Sequence, residues 1–433
     1  MTMTAGTATG SGTTPAPSRS ALREPVFRRY LSGQTVSQLG NQIWYVALSW
    51  SAVHLGSAGT AGLLLTLSAL PRLVLILFGG VIADRFDIRR LMLGSDALRT
   101  VVTLAAAGIA LLNPGIALLA TLAVGFGIVD ALFLPSAGAM QPRLLEPGQY
   151  ASGAVVANMA ARLALSIGAP LGGLLVALGG VPLALLVDAA TFAVSVATLA
   201  TVRPRPLPEA GASSADGAGS ADGAGGRKAA PSYLKDFRAG LSFLVRHPVL
   251  GPMTLVVLLI NVGFVGPMNI GMAELADHRG WGASGIGLML TGFGLGSAAG
   301  ALLMSRLKVR GGAGIWMAVC GAVQGIAVFG TALVPGTWAA VAATAVVGLC
   351  SGPIAVIASI LTQSETPDEF RGRVSAFSTL LSLGIVPLAG AATGFAIATV
   401  GLVGAYAGCG AIEVAGLLLL LFPDFRRAAC PMR

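Results

Sequence analysis

Over 433 residues the chain carries a formal net charge of +9, yet only 10% of its residues are charged and 55% are hydrophobic. Soluble domains average roughly 25% charged residues, so a water-soluble globule is excluded and a lipid bilayer becomes the expected solvent for much of the surface. The basic excess is spread along the chain in membrane-orienting positions rather than gathered on one face, which argues against nucleic acid as a partner.

In chain order, residues 1–26 come first. The opening twenty are rich in Ser, Thr, Gly and Ala and lack a basic-then-apolar pattern ending in a cleavage site, so a flexible cytoplasmic tail is expected rather than a secretory signal. Twelve apolar runs follow, at 31–54, 60–82, 91–112, 115–137, 152–177, 181–201, 250–272, 284–305, 313–334, 337–361, 374–397 and 401–422. Each approaches the roughly 20 residues a helix needs to cross the hydrocarbon core. They are too long for barrel strands and lack alternation, which predicts helices. With the N-terminus inside, 23 of the 27 lysines and arginines fall in cytoplasmic segments and only Arg279 lies outside; Arg72, Arg99 and Arg162 are within spans. That bias is the positive-inside signature, and one miscounted span would scramble it. A multi-pass protein of the bacterial inner membrane with both termini cytoplasmic is the expectation.

Residues 203–232 interrupt the apolar pattern with a repeated ADGAG and little apolar bulk, so they read as a disordered cytoplasmic linker. It separates a first half, 27–202, from a second half, 233–422, with a tail at 423–433. A helix on the membrane surface is expected around 233–246. The halves echo each other. Gly79-x4-Asp84-Arg85-x3-Arg89 recurs as Gly300-x4-Ser305-Arg306-x3-Arg310 at an offset of 221 residues, and Pro147-Gly148-Gln149-Tyr150 recurs as Pro367-Asp368-Glu369-Phe370 at 220. Two agreeing offsets argue for a duplicated six-helix unit.

Several stretches resemble one family. They are Phe27-Arg28-Arg29-Tyr30 with Ser37-x-x-Gly40-Asn41; Gly80-Val-Ile-Ala-Asp84-Arg85-Phe86-Asp87-Ile88-Arg89-Arg90; Asp188-Ala-Ala-Thr-Phe192; Phe237-Arg-x-Gly240-x-x-Phe243-x-x-x-His247-Pro248; and Thr366-Pro367-Asp368-Glu369-x-Arg371-Gly372-Arg373. Together they resemble the major facilitator superfamily, and within it the bacterial drug:proton antiporter-3 group of macrolide, multidrug and siderophore exporters. Departures are Asn41 where Asp is commoner, Asp87 where Gly is usual, and Ile88 where a basic residue is common. The fold implied is all-α, twelve transmembrane helices in two pseudo-symmetric six-helix bundles. The resemblance also implies that Gly80, Asp84, Arg85 and Arg89 form a latch between the halves at the cytoplasmic end; simple anchoring of topology by basic residues is the alternative.

Ionisable groups within the bilayer are costly and mark functional sites by default. Asp130 in the fourth span is expected to join the latch, either as a partner of Arg85 or Arg89 or in a role of its own, and Asp96 and Arg99 to pair with each other or with the latch. Arg162 in the fifth span needs a carboxylate or water, and Asp188 in the sixth is the candidate partner; the pair is either a proton-coupling device or a fixed brace. Glu413 in the twelfth span has no evident basic partner and is either a proton site, an acid facing a cavity, or neutral packing. Gln38, Asn41, Asn158, Asn261, Asn269 and Gln324 are candidates to line a substrate cavity, with interhelical hydrogen bonding as the alternative for each. Gly168-Ala169-Pro170-Leu171-Gly172-Gly173 loosely resembles the Gly/Pro motif of antiporters. Asp368, Glu369, Arg371 and Arg373 are the second half's candidate latch, and the outer Glu274, Asp277 and His278 read as solvated loop residues.

Cys320, Cys350 and Cys409 lie in apolar runs and Cys430 in the tail, without metal-ligand spacing, so neither a disulfide framework nor a metal site is expected. No phosphate-binding loop or nucleophile–base motif stands out, so neither ATP nor another cofactor, and no enzymatic reaction, is expected. The function expected is proton-coupled efflux of an amphipathic small molecule by a monomer. Uptake of a nutrient on the same fold, or a non-transporting membrane sensor, are the alternatives.

Overall fold

The computed structural model describes residues 20–85, 87–113, 115–205, 241–306 and 313–416, and these are helical apart from short connections. The helices are α1 (Pro25–His54), α2 (Ala58–Arg85), α3 (Ile88–Leu112), α4 (Ile116–Met140), α5 (Tyr150–Thr201), α6 (Leu250–Gly266), α7 (Met272–His278), α8 (Gly282–Arg306), α9 (Ala313–Leu333), α10 (Thr337–Glu365) and α11 (Asp368–Ala415). Two of these are each a pair of spans. In α5 the backbone breaks at Gly179 and Gly180, the latter at φ 65°, and in α11 it breaks at Gly401, φ 77°. Left-handed backbone at a tight reversal needs glycine, and both breaks turn the chain back into the membrane. Twelve spans result, six in each half.

Local chemistry sets several boundaries. Pro25 opens α1, where its missing N–H costs nothing. Asp87 caps α3, its carboxylate accepting from the Arg90 backbone N–H at 3.0 Å. His247 Nδ1 faces the backbone N–H groups of Val249 and Leu250 at the start of α6, at 3.3 and 3.2 Å. The seventh span outruns its apolar stretch: α6 passes through a π-helical turn at Pro267–Gly271 and continues as α7 to His278. Glu274, Asp277 and His278 are therefore helical and not loop residues, because a helix persists past the hydrocarbon edge where polar side chains reach water.

The end carrying Arg23, Arg28, Arg89, Arg143 and Arg246 is called the basic end below. At the opposite, charge-poor end one hydrophobic cluster joins both halves, with Trp44, Leu48, Leu64 and Phe126 packed in the same core as Ile270, Leu275, Ile286 and Tyr406. At the basic end the described residues of the two halves fall in separate cores. Phe27, Tyr30, Ile88, Met92 and Phe133 belong to the first, and Leu250, Met253, Met317, Ile357 and Leu361 to the second.

Within the second half α8 and α10 pack backbone against backbone. A Cβ on Gly296 would meet Ala345 O, one on Gly300 would meet Leu349 O, and one on Gly348 would meet Phe293 O, all well inside contact distance. Small residues at such a seam allow close approach without a hydrophobic driving force. Gly296→Val should lower the stability of the detergent-solubilised protein by about 1–3 kcal/mol through overpacking; an unchanged unfolding temperature would contradict the seam.

Candidate functional site

A charged cluster lies inside the first half, where α3, α4 and the second part of α5 meet. Arg99 is 1% exposed and Asp96 fully buried. Arg99 Nη1 donates to Asp96 Oδ1 at 3.3 Å, and its Nη2 donates to Asp130 Oδ1. Ser195 Oγ donates to the other Asp96 oxygen at 2.6 Å. The guanidinium lies between two rings, 4.7 Å from the Phe133 centroid and 5.3 Å from that of Phe192. A planar fork can serve two carboxylates and stack on aromatic faces at once, which a lysine ammonium cannot. Asp188, fully buried on the same part of α5, completes no hydrogen bond through either oxygen. Among the described residues Arg99 is the cation whose field reaches it. Room for Asp188 comes from α1, where a Cβ on Gly40 would collide with the Asp188 carboxylate and the Thr191 hydroxyl.

Three carboxylates thus share one cation among the described residues. Asp130 takes Arg99 as its partner; Arg89 instead donates to the backbone carbonyls of Leu199 and Ala200, at 3.4 and 2.5 Å, tying the start of α3 to the end of α5. The side chains of Gly80, Asp84, Arg85 and Arg162 lie outside the described residues, as do those of Asp368, Glu369, Arg371 and Arg373. Arg99 itself was visible in the sequence as a membrane-embedded cation. Its central position was not, because pairing across helices depends on their rotation and depth.

The polar cavity candidates divide. Gln38 and Asn41 are half-buried on α1, in a stripe with Gln34 and Tyr45 at helical spacing. Asn261 and Asn269, also half-buried, stand on the seventh span, and Asn269 lies in its π-helical turn. Such turns recur at functional sites. The amides of Asn261 and Asn269 donate to Val257 O and Val265 O one turn back, at 2.7 and 2.6 Å, leaving their carbonyl oxygens as acceptors. Asn158 is exposed on α5 and donates to Ala154 O at 2.9 Å. Gln324 is sealed inside the second half beside Glu413, away from that stripe.

The charge-poor end is closed by contacts between the halves. His54 Nδ1 lies 2.8 Å from Asp277 Oδ1, and Trp50 stacks on the imidazole with centroids 5.3 Å apart. Beneath this pair small residues let helices touch: a Cβ on Gly287 of α8 would lie 2.9 Å from Pro170 Cα of α5, and one on Gly394 of α11 would lie 2.7 Å from Ala58 O of α2. Thr66 Oγ1 donates to Pro387 O at 3.1 Å. The His54–Asp277 pair is exposed, an ion pair when the imidazole is protonated and a hydrogen bond when the neutral ring carries its proton on Nδ1, and such pairs contribute about 0.2–1 kcal/mol. His54→Ala should therefore shift the balance of states toward opening at this end by at most roughly fivefold. Accessibility of a cysteine introduced nearby would measure it, and an unchanged labelling rate would remove the pair as a gate.

Among the described residues the two halves share one core at the charge-poor end and keep separate cores at the basic end. The family model for the Major Facilitator Superfamily matches residues 30–273 and 261–429. The chain belongs to the major facilitator superfamily. It is 26% identical over 388 residues to the enterobactin exporter EntS of Escherichia coli O1:K1 / APEC, covering 86% of this chain and 85% of the relative. Among solved structures it superposes on a bacterial homologue of the iron transporter ferroportin in an inward-facing state, with TM-score 0.67, 16% identity, and 94% and 100% of the two chains covered. It also superposes on a D-xylose-proton symporter, with TM-score 0.67, 13% identity, and 95% and 98% covered. These likenesses establish the major facilitator fold. The protein is a multi-pass membrane transporter, not an enzyme, and its buried Asp96–Arg99–Asp130 cluster is part of a transporter half.

Proposed function

We propose that this major facilitator protein exports an amphipathic small molecule of the drug, macrolide or siderophore class in exchange for protons. The carrying observation, among the described residues, is that Asp96 and Asp130 both bond Arg99 while Asp188, within reach of its field, has neither oxygen in full hydrogen-bond geometry. A carboxyl buried in that way tolerates charge poorly. A proton arriving at it, or leaving it, alters the claim the other two acids have on Arg99. That gives a substrate-sensitive equilibrium something to act on.

The direction is supported by the resemblance to an exporter across most of both chains. The substrate class is supported by half-buried Gln38 and Asn41 on the first span and Asn261 and Asn269 on the seventh, uncharged hydrogen-bonding groups set among apolar residues. In this reading the basic end faces the cytoplasm, and outward release of cargo requires the contacts that close the charge-poor end to part. The loop latch of Gly80, Asp84, Arg85 and Arg89 would hold the basic end shut once they have parted. Asp84→Asn is then expected to slow cycling in transport assays while leaving membrane insertion intact; a wild-type rate would end that assignment.

The test of the function is transport by the full-length protein in proteoliposomes of known orientation, with an imposed pH gradient and a panel of macrolides, dyes and catecholate siderophores. Movement of one of these against proton flow supports the proposal. Movement of substrate in the same direction as protons would make the protein an importer, and insensitivity to the gradient would remove proton coupling.

A further inference from the structure

Arg99 and Asp188 have counterparts in the second half. Arg99 stands in the third span of the first half, and Gln324 in the third span of the second. Asp188 follows Arg99 by 89 residues, and Glu413 follows Gln324 by 89. The surroundings repeat too. Asp188 rests against Gly40 of α1, the first helix of its half; Glu413 rests against Gly263 of α6, the first spanning helix of the other, where a Cβ would lie 2.6 Å from Glu413 Cγ. What differs is charge. A carboxamide stands in the place of the guanidinium, and Gly321, three residues before Gln324 as Asp96 is before Arg99, carries no carboxylate.

Glu413 and Gln324 are both 1% exposed and lie against each other, and none of their four polar side-chain atoms meets full hydrogen-bond geometry. The titratable neighbours of Glu413 are thiols: Cys409 on its own helix and Cys350 on α10, with Cys320 of α9 against Cys350. Among the described residues no cation stands beside it. An ionised carboxylate there would lack a counter-charge in a medium that penalises it heavily. It would also leave Gln324 Oε1 without a donor, since a carboxylate has none to offer. A neutral carboxyl removes both conflicts. Its O–H can donate to Gln324 Oε1 while Gln324 Nε2 donates back to the carboxyl C=O, so a single proton pairs all four atoms.

We infer that Glu413 and Gln324 form a second proton-binding site, a carboxylic acid–carboxamide pair that is the cation-free counterpart of Arg99 and Asp188. Its part in a transport cycle rests on the proton-coupled reading above; its occupancy by a proton does not, and can be read directly.

The full-length protein is reconstituted in lipid and its infrared spectrum recorded at neutral pH. The carbonyl stretch of a protonated carboxyl should be present in the wild type and lost in Glu413→Gln. Gln324→Leu should keep the band but move it to higher frequency, since the acid loses its hydrogen-bond acceptor. If Glu413→Gln does not fold, the comparison of wild type with Gln324→Leu carries the test. A wild-type-minus-E413Q spectrum without a protonated-carboxyl band, or a band unmoved in Q324L, overturns the pair. A transport defect confined to Asp188→Asn, with the Glu413 band intact, speaks to the proposed function and leaves this site standing.

Discussion

Arg99→Ala is expected to destabilise the protein by about 3–5 kcal/mol, the cost of removing one partner from a buried ion pair, and to abolish transport. The guanidinium is fully enclosed, bonded to Asp96 and Asp130, and held between Phe133 and Phe192. Without it Asp96 retains only Ser195 as a partner, inside a low-dielectric bundle. Asp130, with its side chain 31% exposed, can recover solvation and should suffer less. Two further variants separate charge from geometry. Arg99→Lys keeps the charge but not the fork, and should restore part of the stability without full transport. Asp96→Asn combined with Arg99→Leu removes both members of the inner pair and should be more stable than Arg99→Ala alone, because deleting a buried pair costs less than breaking it. Thermal unfolding in detergent measures all three. An Arg99→Ala protein as stable as the wild type would show that the cluster does not hold α3, α4 and α5 together.

Asp188→Asn is expected to leave folding intact and to eliminate gradient-driven accumulation of substrate. The amide is nearly isosteric with the carboxyl, so it fits the space opposite Gly40, and it removes a buried acid that completes no hydrogen bond. What it cannot do is exchange a proton. Counterflow, in which labelled and unlabelled substrate trade places without net coupling, should persist, while uphill transport driven by a pH gradient should vanish. Loss of both would indicate that Asp188 shapes the substrate path instead. Retention of uphill transport with wild-type pH dependence would move coupling elsewhere, with Asp96 and Asp130 the next acids to change.

The residues of these two experiments show how far the sequence could be read. Arg99, Asp130 and Asp188 stand out in it as membrane-embedded charges, since each interrupts a long apolar run. Their partnership does not, because a 25-residue helix can present such a residue at any angle. Asp130 was expected to face the loop arginines; in the folded bundle it reaches across to Arg99, and Arg89 is occupied by carbonyls at the end of α5. Asp277 read as a loop residue because hydropathy ends at the edge of the hydrocarbon, whereas the helix runs on until His278 and brings the carboxylate to His54. The polarity of Gln324 suits either a cavity lining or an interhelical contact, and the rotation of α9, which turns it inward onto Glu413, favours the second.

The sequence by itself determined the solvent, the number of spans and the duplication. Lipid admits only long apolar helices, and basic residues mark the ends they share, so composition and period carry that information along the chain. Tertiary structure decided which charges meet and at which end the halves close. Those depend on helix rotation, depth and the approach that glycines such as Gly40, Gly263 and Gly287 permit, and they are properties of packed surfaces rather than of any one segment.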